Sequence, residues 1–355
     1  MSVLRFSASQ HDSSVFGAGL LAFVVAIFLT GCGGGSTNTV SIDGSSTVFP
    51  LTEAVAEEYM EANQGDRVNV GASGTGGGFS KFLRGETAIN NASRPISQEE
   101  IAKAEEAGIE FIEIPVAYDG IAVVVHPEND WAECLTVGEL QQIWEPNSSV
   151  EQWSDVRDEF PDREINLYAP GTASGTYDYF TEAIVGESGA SRPDFTASED
   201  DNVLVQGIKG TRPALGYFGL AYYENNVDDL RVLGIDPDER DGGASCVQPS
   251  AETVQDGTYR PLSRPLFIYV NVDEITPTVE SFVEFYLDNA SDLAADVGYV
   301  GMPPDAYELA LQRFENRTTG TVFGAEGVDA TGTKVEEMLR AASADSVRSD
   351  TTSDE

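Results

Sequence analysis

From Thr39 onward the chain alternates between two periodicities: short runs that switch between apolar and polar, then longer stretches in which apolar residues return every three or four positions. The first period belongs to strands, the second to helices packed on one face. "TVSID" (39–43) predicts a strand, and residues 50–63 a helix with Leu51, Val55, Tyr59 and Ala62 on its buried face, stopping near Gly65. "RVNVGA" (67–72) is the next strand, "GTGGGFSKFLRG" (74–85) turns into a short helix, and "AINNA" (88–92) is a strand. Residues 97–108 form a helix opened by a Ser97/Glu100 capping box. "EFIEIPVAYDGIAVVVHP" (110–127) exceeds one strand, so a bend is expected near Asp119 and Gly120, where the chain enters a second domain.

The second block repeats the alternation. Thr136 and Glu139 cap a helix within 135–144, "EINLYAP" (164–170) is a strand, and 177–186 is a helix. Residues 197–210 are an acid-capped helix, and 215–219 and 230–235 are strands. "RPLFIYVN" (264–271) returns the chain to the first domain, and 276–290 is a helix with proline near its start. This order predicts an α/β fold of mostly parallel strands in two lobes, 39–121 plus 265–325 and 122–264. Ligands of such folds bind in the cleft at the strand ends. Residues 326–355, rich in Thr, Ser, Ala and Asp, are expected to form a disordered acidic tail.

Ahead of these elements, residues 1–32 hold an apolar run from Val15 to Leu29 that ends in Leu29-Thr30-Gly31-Cys32. That is the pattern of a lipoprotein signal peptide, with Cys32 lipidated as the new N-terminus and 33–38 a flexible leash. An uncleaved membrane anchor is the alternative, and either arrangement leaves the rest outside the cytoplasm, tethered to a membrane. Lys+Arg of 20 against Asp+Glu of 60 gives a net charge of −40, with only four lysines. An acidic surface spread along the chain suits work in molar salt, where the Debye length is about 3 Å and self-repulsion is screened. Without a basic stripe, nucleic acid is excluded as a partner. Beyond Cys32 only Cys134 and Cys246 remain, and they could pair in an exported chain. One histidine after Cys32, His126, and no close cysteine pair argue against a metal site, and no cofactor is implied.

Four turns share one design: "DGSSTV" (43–48), "SGTGGG" (73–78), "NASRPI" (91–96) and "GTASGT" (171–176). Helix N-termini offer unpaired N–H groups and about half a positive charge, and small hydroxyl residues let an anion approach. Arg94 adds a full charge that can grip an oxyanion through two bonds. Each turn has a plainer use. Ser45, Ser46 or Thr47 could cap the 50–63 helix, the glycine run could be a simple turn, and Arg94 a surface ion pair.

The stretches "DGSSTVFPLTEAVAEEY", "GASGTGGGFSKFLRGETAINNASRPI", "YDGIAVVV", "LTVGELQQIW" and "PGTASGTYDYFTE" resemble, in this order over roughly 39–318, the phosphate-binding lipoproteins of ATP-driven phosphate importers, the PstS family. The resemblance implies a type II periplasmic-binding-protein fold with phosphate desolvated between the lobes. It implies contacts from Ser46, Thr47 and the Val48 amide, from Thr75, and from Ser174, Gly175 and Thr176. Two departures stand out. Where some members carry an arginine before the fourth loop this chain has "YAP" (168–170), and where they carry aspartate in the third loop it has Arg94. Arg94 is therefore expected to supply the positive charge, and Asp119, with Asp178 behind it, the carboxylate that accepts the proton of phosphate.

An enzyme is disfavoured: "GTASG" places its serine one position late for a hydrolase elbow, and "GTGGGFSK" lacks the Gly-Lys-Ser/Thr of a phosphate-binding loop. The expected function is that of a monomeric, lipid-anchored receptor delivering inorganic phosphate to the membrane permease of an importer. A same-fold receptor for sulfate, molybdate or tungstate, a phosphate sensor, and a structural surface lipoprotein are the alternatives.

Overall fold

Apolar residues at strand spacing and helix spacing build the elements in the predicted order in a computed structural model that describes residues 38–172, 174–198, 200–237, 246–324 and 334–352. Cys32, the signal segment and most of the leash lie outside the described residues. The chain begins β1 (Thr39–Gly44), α1 (Phe49–Ala62), β2 (Arg67–Val70), α2 (Thr75–Phe82), β3 (Ile89–Ala92), α3 (Gln98–Ala107) and β4 (Phe111–Val125). Then come β5 (Cys134–Thr136), α4 (Val137–Trp144), α5 (Trp153–Val156), β6 (Asn166–Pro170) and α6 (Gly175–Phe180), which runs into a π-helical turn, Thr181–Val185. Next are β7 (Thr196–Ser198), α7 (Asp201–Gly210), β8 (Ala214–Gly219), α8 (Leu220–Glu224), β9 (Arg231–Val232), β10 (Gly234–Asp236) and α9 (Ala251–Gln255). The chain returns through β11 (Ser263–Asn271) to α10 (Pro277–Asp296), α11 (Pro304–Glu315) and α12 (Val335–Thr352). Ser97/Glu100 and Thr136/Glu139 both form their capping boxes.

The strands run β2-β1-β3-β11-β4-β8-β6-β7, with β9 also on β4 and a separate β10-β5 pair. Pairing is parallel among β2, β1 and β3 and among β8, β6 and β7. It is antiparallel wherever β11 or β4 takes part, so the sheet is mixed, with its parallel parts at the two ends. Residues 110–127 do not divide into the two strands that their length predicts. β4 is one continuous strand with all fifteen residues buried, and apolar cover on both faces lets it change partners without breaking. Residues up to Gly120 pair with β11, and from Ile121 onward with β8.

The expected disordered tail also needs correction. Just ahead of it, residues 321–323 are tied to the core: Glu113, buried in β4, accepts hydrogen bonds from Tyr269 Oη (2.7 Å), Thr321 Oγ1 (2.6 Å) and the amides of Val322 (2.7 Å) and Phe323 (2.9 Å). Farther on, α12 buries Val335 and Leu339, and Arg340 reaches Asp305 at 2.9 Å. Two apolar side chains one turn apart give the helix a face to bury, which composition averaged over the tail conceals. Cys134 and Cys246 are joined by a disulfide across 112 positions.

Glycines set the spacing at the carboxyl end of β1. A Cβ on Gly78 would lie 2.1 Å from Asn90 Oδ1 and 2.4 Å from Gly44 Cα, so α2 rests directly on the 43–48 loop. Gly44 itself has φ +142°, a conformation that favours glycine. Around Gly76, by contrast, nothing lies within 4 Å of such a Cβ. Gly78→Ala should therefore lose about 1–3 kcal/mol of stability through forced backbone movement. Gly76→Ala should gain a few tenths or up to about 1 kcal/mol from helix propensity. Urea unfolding of the two variants checks this, and equal stabilities would contradict the close-packing role.

Candidate functional site

The change of strand partner brings two opposite charges together. Asp119 on β4 stands directly across the ladder from Arg264 on β11, one pair before β4 leaves β11 for β8. Asp119 is fully buried and the Arg264 side chain is 11% exposed. Their contact is long, Arg264 Nη2 to Asp119 Oδ2 at 3.4 Å, while Asp119 Oδ1 and Arg264 Nε are buried without a hydrogen-bond partner. Burial pushes the Asp119 carboxyl above the ordinary aspartate value, and the guanidinium pulls only partly against it. The same Nη2 lies 3.3 Å from Thr47 Oγ1, the guanidinium stacks 3.7 Å from the centre of the Tyr179 ring, and Nη1 is 3.9 Å from Glu182 at the rim.

The hydroxyl-rich loops converge on this pair. Ser45 Oγ accepts from the amides of Thr47 (3.1 Å) and Val48 (3.4 Å) within the turn ahead of α1, whose N-cap position, Val48, carries no side-chain cap, and the Thr47 side chain is turned to Arg264. The fourth loop lies against the first: a Cβ on Gly175 would come 2.4 Å from Thr47 Oγ1 and 2.7 Å from Thr47 Cα. Ser174 Oγ caps α6 by accepting from the Thr176 amide at 3.2 Å, and Ser46 and Thr176 are half-buried. The second loop is anchored by the Ser73 amide on Gly44 O (3.0 Å), and Thr75 Oγ1 pairs with the Ser93 hydroxyl (3.1 Å) and amide (3.2 Å) of the third. Several small polar groups, two helix starts and a buried cation thus meet at one point, which suits a compact oxyanion.

Arg94 does not join the cluster as expected. Its fork binds Glu100 through two bonds of 2.8 and 2.9 Å and also reaches Pro95 O, and its side chain is 41% exposed. Glu100 is the partner of Ser97 in the α3 capping box, so Arg94 closes a local circuit between its loop and the start of α3. Arg94 and Arg264 do line one cavity of about 230 Å³ at the outer side of the cluster, with Ser93, Tyr179, Glu182 and Pro261. Asp178 is half-buried; burial raises its carboxyl, against a Ser188 hydrogen bond and the charge of Arg264. Arg264 is the residue that motif reading missed. Its signal was present: an arginine alone at the head of the apolar run "PLFIYV", on the strand that returns beside an equally isolated Asp119.

Residues 33–290 match the PBP superfamily domain. Protein SphX of Synechocystis sp. is 48% identical over 297 residues, 82% of this chain and 87% of its own length. The phosphate-binding protein PstS of Staphylococcus saprophyticus is 36% identical over 298 residues, 81% of this chain and 90% of its own. The crystal structure of a possible phosphate binding protein from Planctomyces limnophilus superposes with a TM-score of 0.73 at 43% identity, covering 78% of this chain and 98% of that one.

Beneath the first two loops, Asp43 holds Lys81 at 2.6 Å and accepts from the Ser73 hydroxyl. Burial pushes its carboxyl up, but Lys81 and Ser73 together outweigh burial and keep it below the ordinary value. A depressed carboxyl stabilises the fold above the unfolded-state value near 4, and the contribution fades as pH falls through the folded-state value. Asp43→Asn should therefore lose about 1–2 kcal/mol at pH 7. The gap from the parent should close as pH drops below about 4, measured by denaturant unfolding across pH.

Proposed function

Because this chain belongs to the PstS and SphX family of phosphate-binding proteins, within the PBP superfamily, we propose that it captures inorganic phosphate at the Arg264–Asp119 cluster and delivers it to an ATP-driven import permease. The observation that carries the reading is the buried, incompletely bonded pair of Arg264 and Asp119 beside Thr47. Monohydrogen phosphate brings both a negative charge for the guanidinium and one proton for the carboxylate. Thr47, the Val48 amide, Ser46, Thr75 and the Ser174-Gly175-Thr176 turn donate to the remaining oxygens. Sulfate has no proton at neutral pH, so its oxygen and a carboxylate oxygen of Asp119 would face each other without a hydrogen, costing several kcal/mol. Micromolar affinity needs about 8 kcal/mol, within reach of several charge-assisted bonds in a water-poor site.

In this reading the two lobes are 39–121 plus 265–325 and 122–264, and they hinge where β4 changes partners, so Asp119 and Arg264 sit on the hinge itself. Thr47 and Gly175 meet when the lobes close. The protein does no covalent chemistry, acts as a monomer, and is held outside the cytoplasm by lipid on Cys32. Its acidic surface keeps it soluble in concentrated salt.

Calorimetry in molar potassium chloride tests the assignment. The parent should bind phosphate one to one and neither sulfate nor molybdate at comparable concentration; preference for either of those, or silence with all three, would overturn it. Arg264→Ala should weaken phosphate about 100-fold or more, the scale of removing one partner from a buried charge pair, and Arg94→Ala by less than about threefold. A larger loss from Arg94→Ala would return the cation's role to Arg94. Asp119→Asn should weaken phosphate by at least about tenfold and bring sulfate within measurable range, since a neutral amide can donate to it. Unchanged selectivity would remove Asp119 from the proton-accepting role.

A further inference from the structure

We propose that Tyr299 is a positioning residue for anion capture, its hydroxyl fixing the Thr47 carbonyl so that the Val48 amide is aimed into the cluster. The inference rests on the phosphate reading above and adds a residue that the loop motifs do not contain. Tyr299 is 9% exposed, and its hydroxyl donates to Thr47 O across 252 positions of sequence. Burial pushes the phenol well above its ordinary value, so it stays a donor. The carbonyl of residue 47 and the N–H of residue 48 belong to one planar trans peptide and point in opposite directions. Holding the first from behind therefore directs the second forward.

That amide is free enough to serve a ligand. It stands at the N-terminus of the fourteen-residue α1, and its contact with Ser45 Oγ is long, 3.4 Å, on an oxygen that the Thr47 amide already engages at 3.1 Å. Tyr299 is itself held from two further sides. Val300 and Tyr118 exchange both backbone hydrogen bonds (2.8 and 2.9 Å), one residue from Asp119. Gly298 packs so closely on the far half of the sheet that a Cβ on Gly219 would lie 3.1 Å from its carbonyl, and a Cβ on Gly298 would lie 3.0 Å from the Tyr222 ring. The 298–300 turn is thus a strut touching the anion loop, the shared strand β4 and the β8–α8 corner at once. Its hydroxyl carries that rigidity to the peptide between Thr47 and Val48.

Tyr299→Phe removes only the donor. Tyr286→Phe is the control, since its buried hydroxyl pairs with Thr52 Oγ1 at 3.0 Å one turn into the same helix α1 and not with the peptide between Thr47 and Val48. Phosphate titrations of parent and both variants, with ¹⁵N-valine labelling to follow the Val48 amide, decide the matter. Tyr299→Phe should bind phosphate about tenfold more weakly. Its Val48 resonance should shift on phosphate addition by less than half the parent's shift, while Tyr286→Phe stays within about twofold of the parent. Binding by Tyr299→Phe within twofold and with the full Val48 shift would overturn the inference, as would equal losses in the two variants, which would mean general loosening of α1. A parent that fails to bind phosphate at all would overturn the phosphate reading and this inference together.

Discussion

Two opposite charges facing each other across a buried antiparallel ladder are costly to keep unless their hydrogen bonding is completed. Asp119 and Arg264 meet that description, with a 3.4 Å contact and one buried atom on each side left without a partner. The rest of the architecture can be understood as support for that pair. β4 is the strand that the two halves of the sheet share, and the pair sits where it exchanges β11 for β8. In the proposed reading, a ligand that carries negative charge and a proton would relieve both ends of the pair at once, and binding energy would be concentrated where β4 changes partners.

In the proposed reading, the loops answer a geometric problem set by a small, nearly spherical ligand. Donors must approach from many directions without filling the space, so the sequence uses glycine, serine and threonine at the mouths of helices. Gly78 lets α2 rest on Gly44, Gly175 lets the fourth loop meet Thr47, and Ser45 holds the turn through the Thr47 amide, leaving the Thr47 hydroxyl to face Arg264. Asp43 and Lys81 fix the second loop from below, and Tyr299 fixes the first from behind. Burial of these partners makes each contact rigid, which reduces the entropy that ordering the loops would cost at the moment of binding.

Much of this was legible in the sequence because local rules govern it. Most of the longer strands and helices from β1 to α10 follow from periodicity, whereas α5, α8, α9 and α11 are not read from it, and both capping boxes stand where Ser97/Glu100 and Thr136/Glu139 place them. What failed depends on contacts between distant segments. β4 reads as too long for one strand because periodicity is silent about a chain buried on both faces, and the acidic tail conceals Val335 and Leu339 beneath its average composition. The neighbour of Asp119 was illegible for the same reason. Arg94 lies inside a recognisable motif and is bound by Glu100, six residues away, whereas Arg264 comes to face Asp119 only when β11 is laid beside β4.

A crystal structure of the protein with phosphate tests the central claim most directly. The account predicts phosphate oxygens within hydrogen-bond distance of Arg264 Nη2 or Nε, Thr47 Oγ1, the Val48 amide and a carboxylate oxygen of Asp119, with the Asp119 contact short as befits an O–H···O⁻ bond. Arg94 would remain on Glu100. Phosphate held by Arg94, with Arg264 still turned to Asp119 alone and no anion between them, would contradict it.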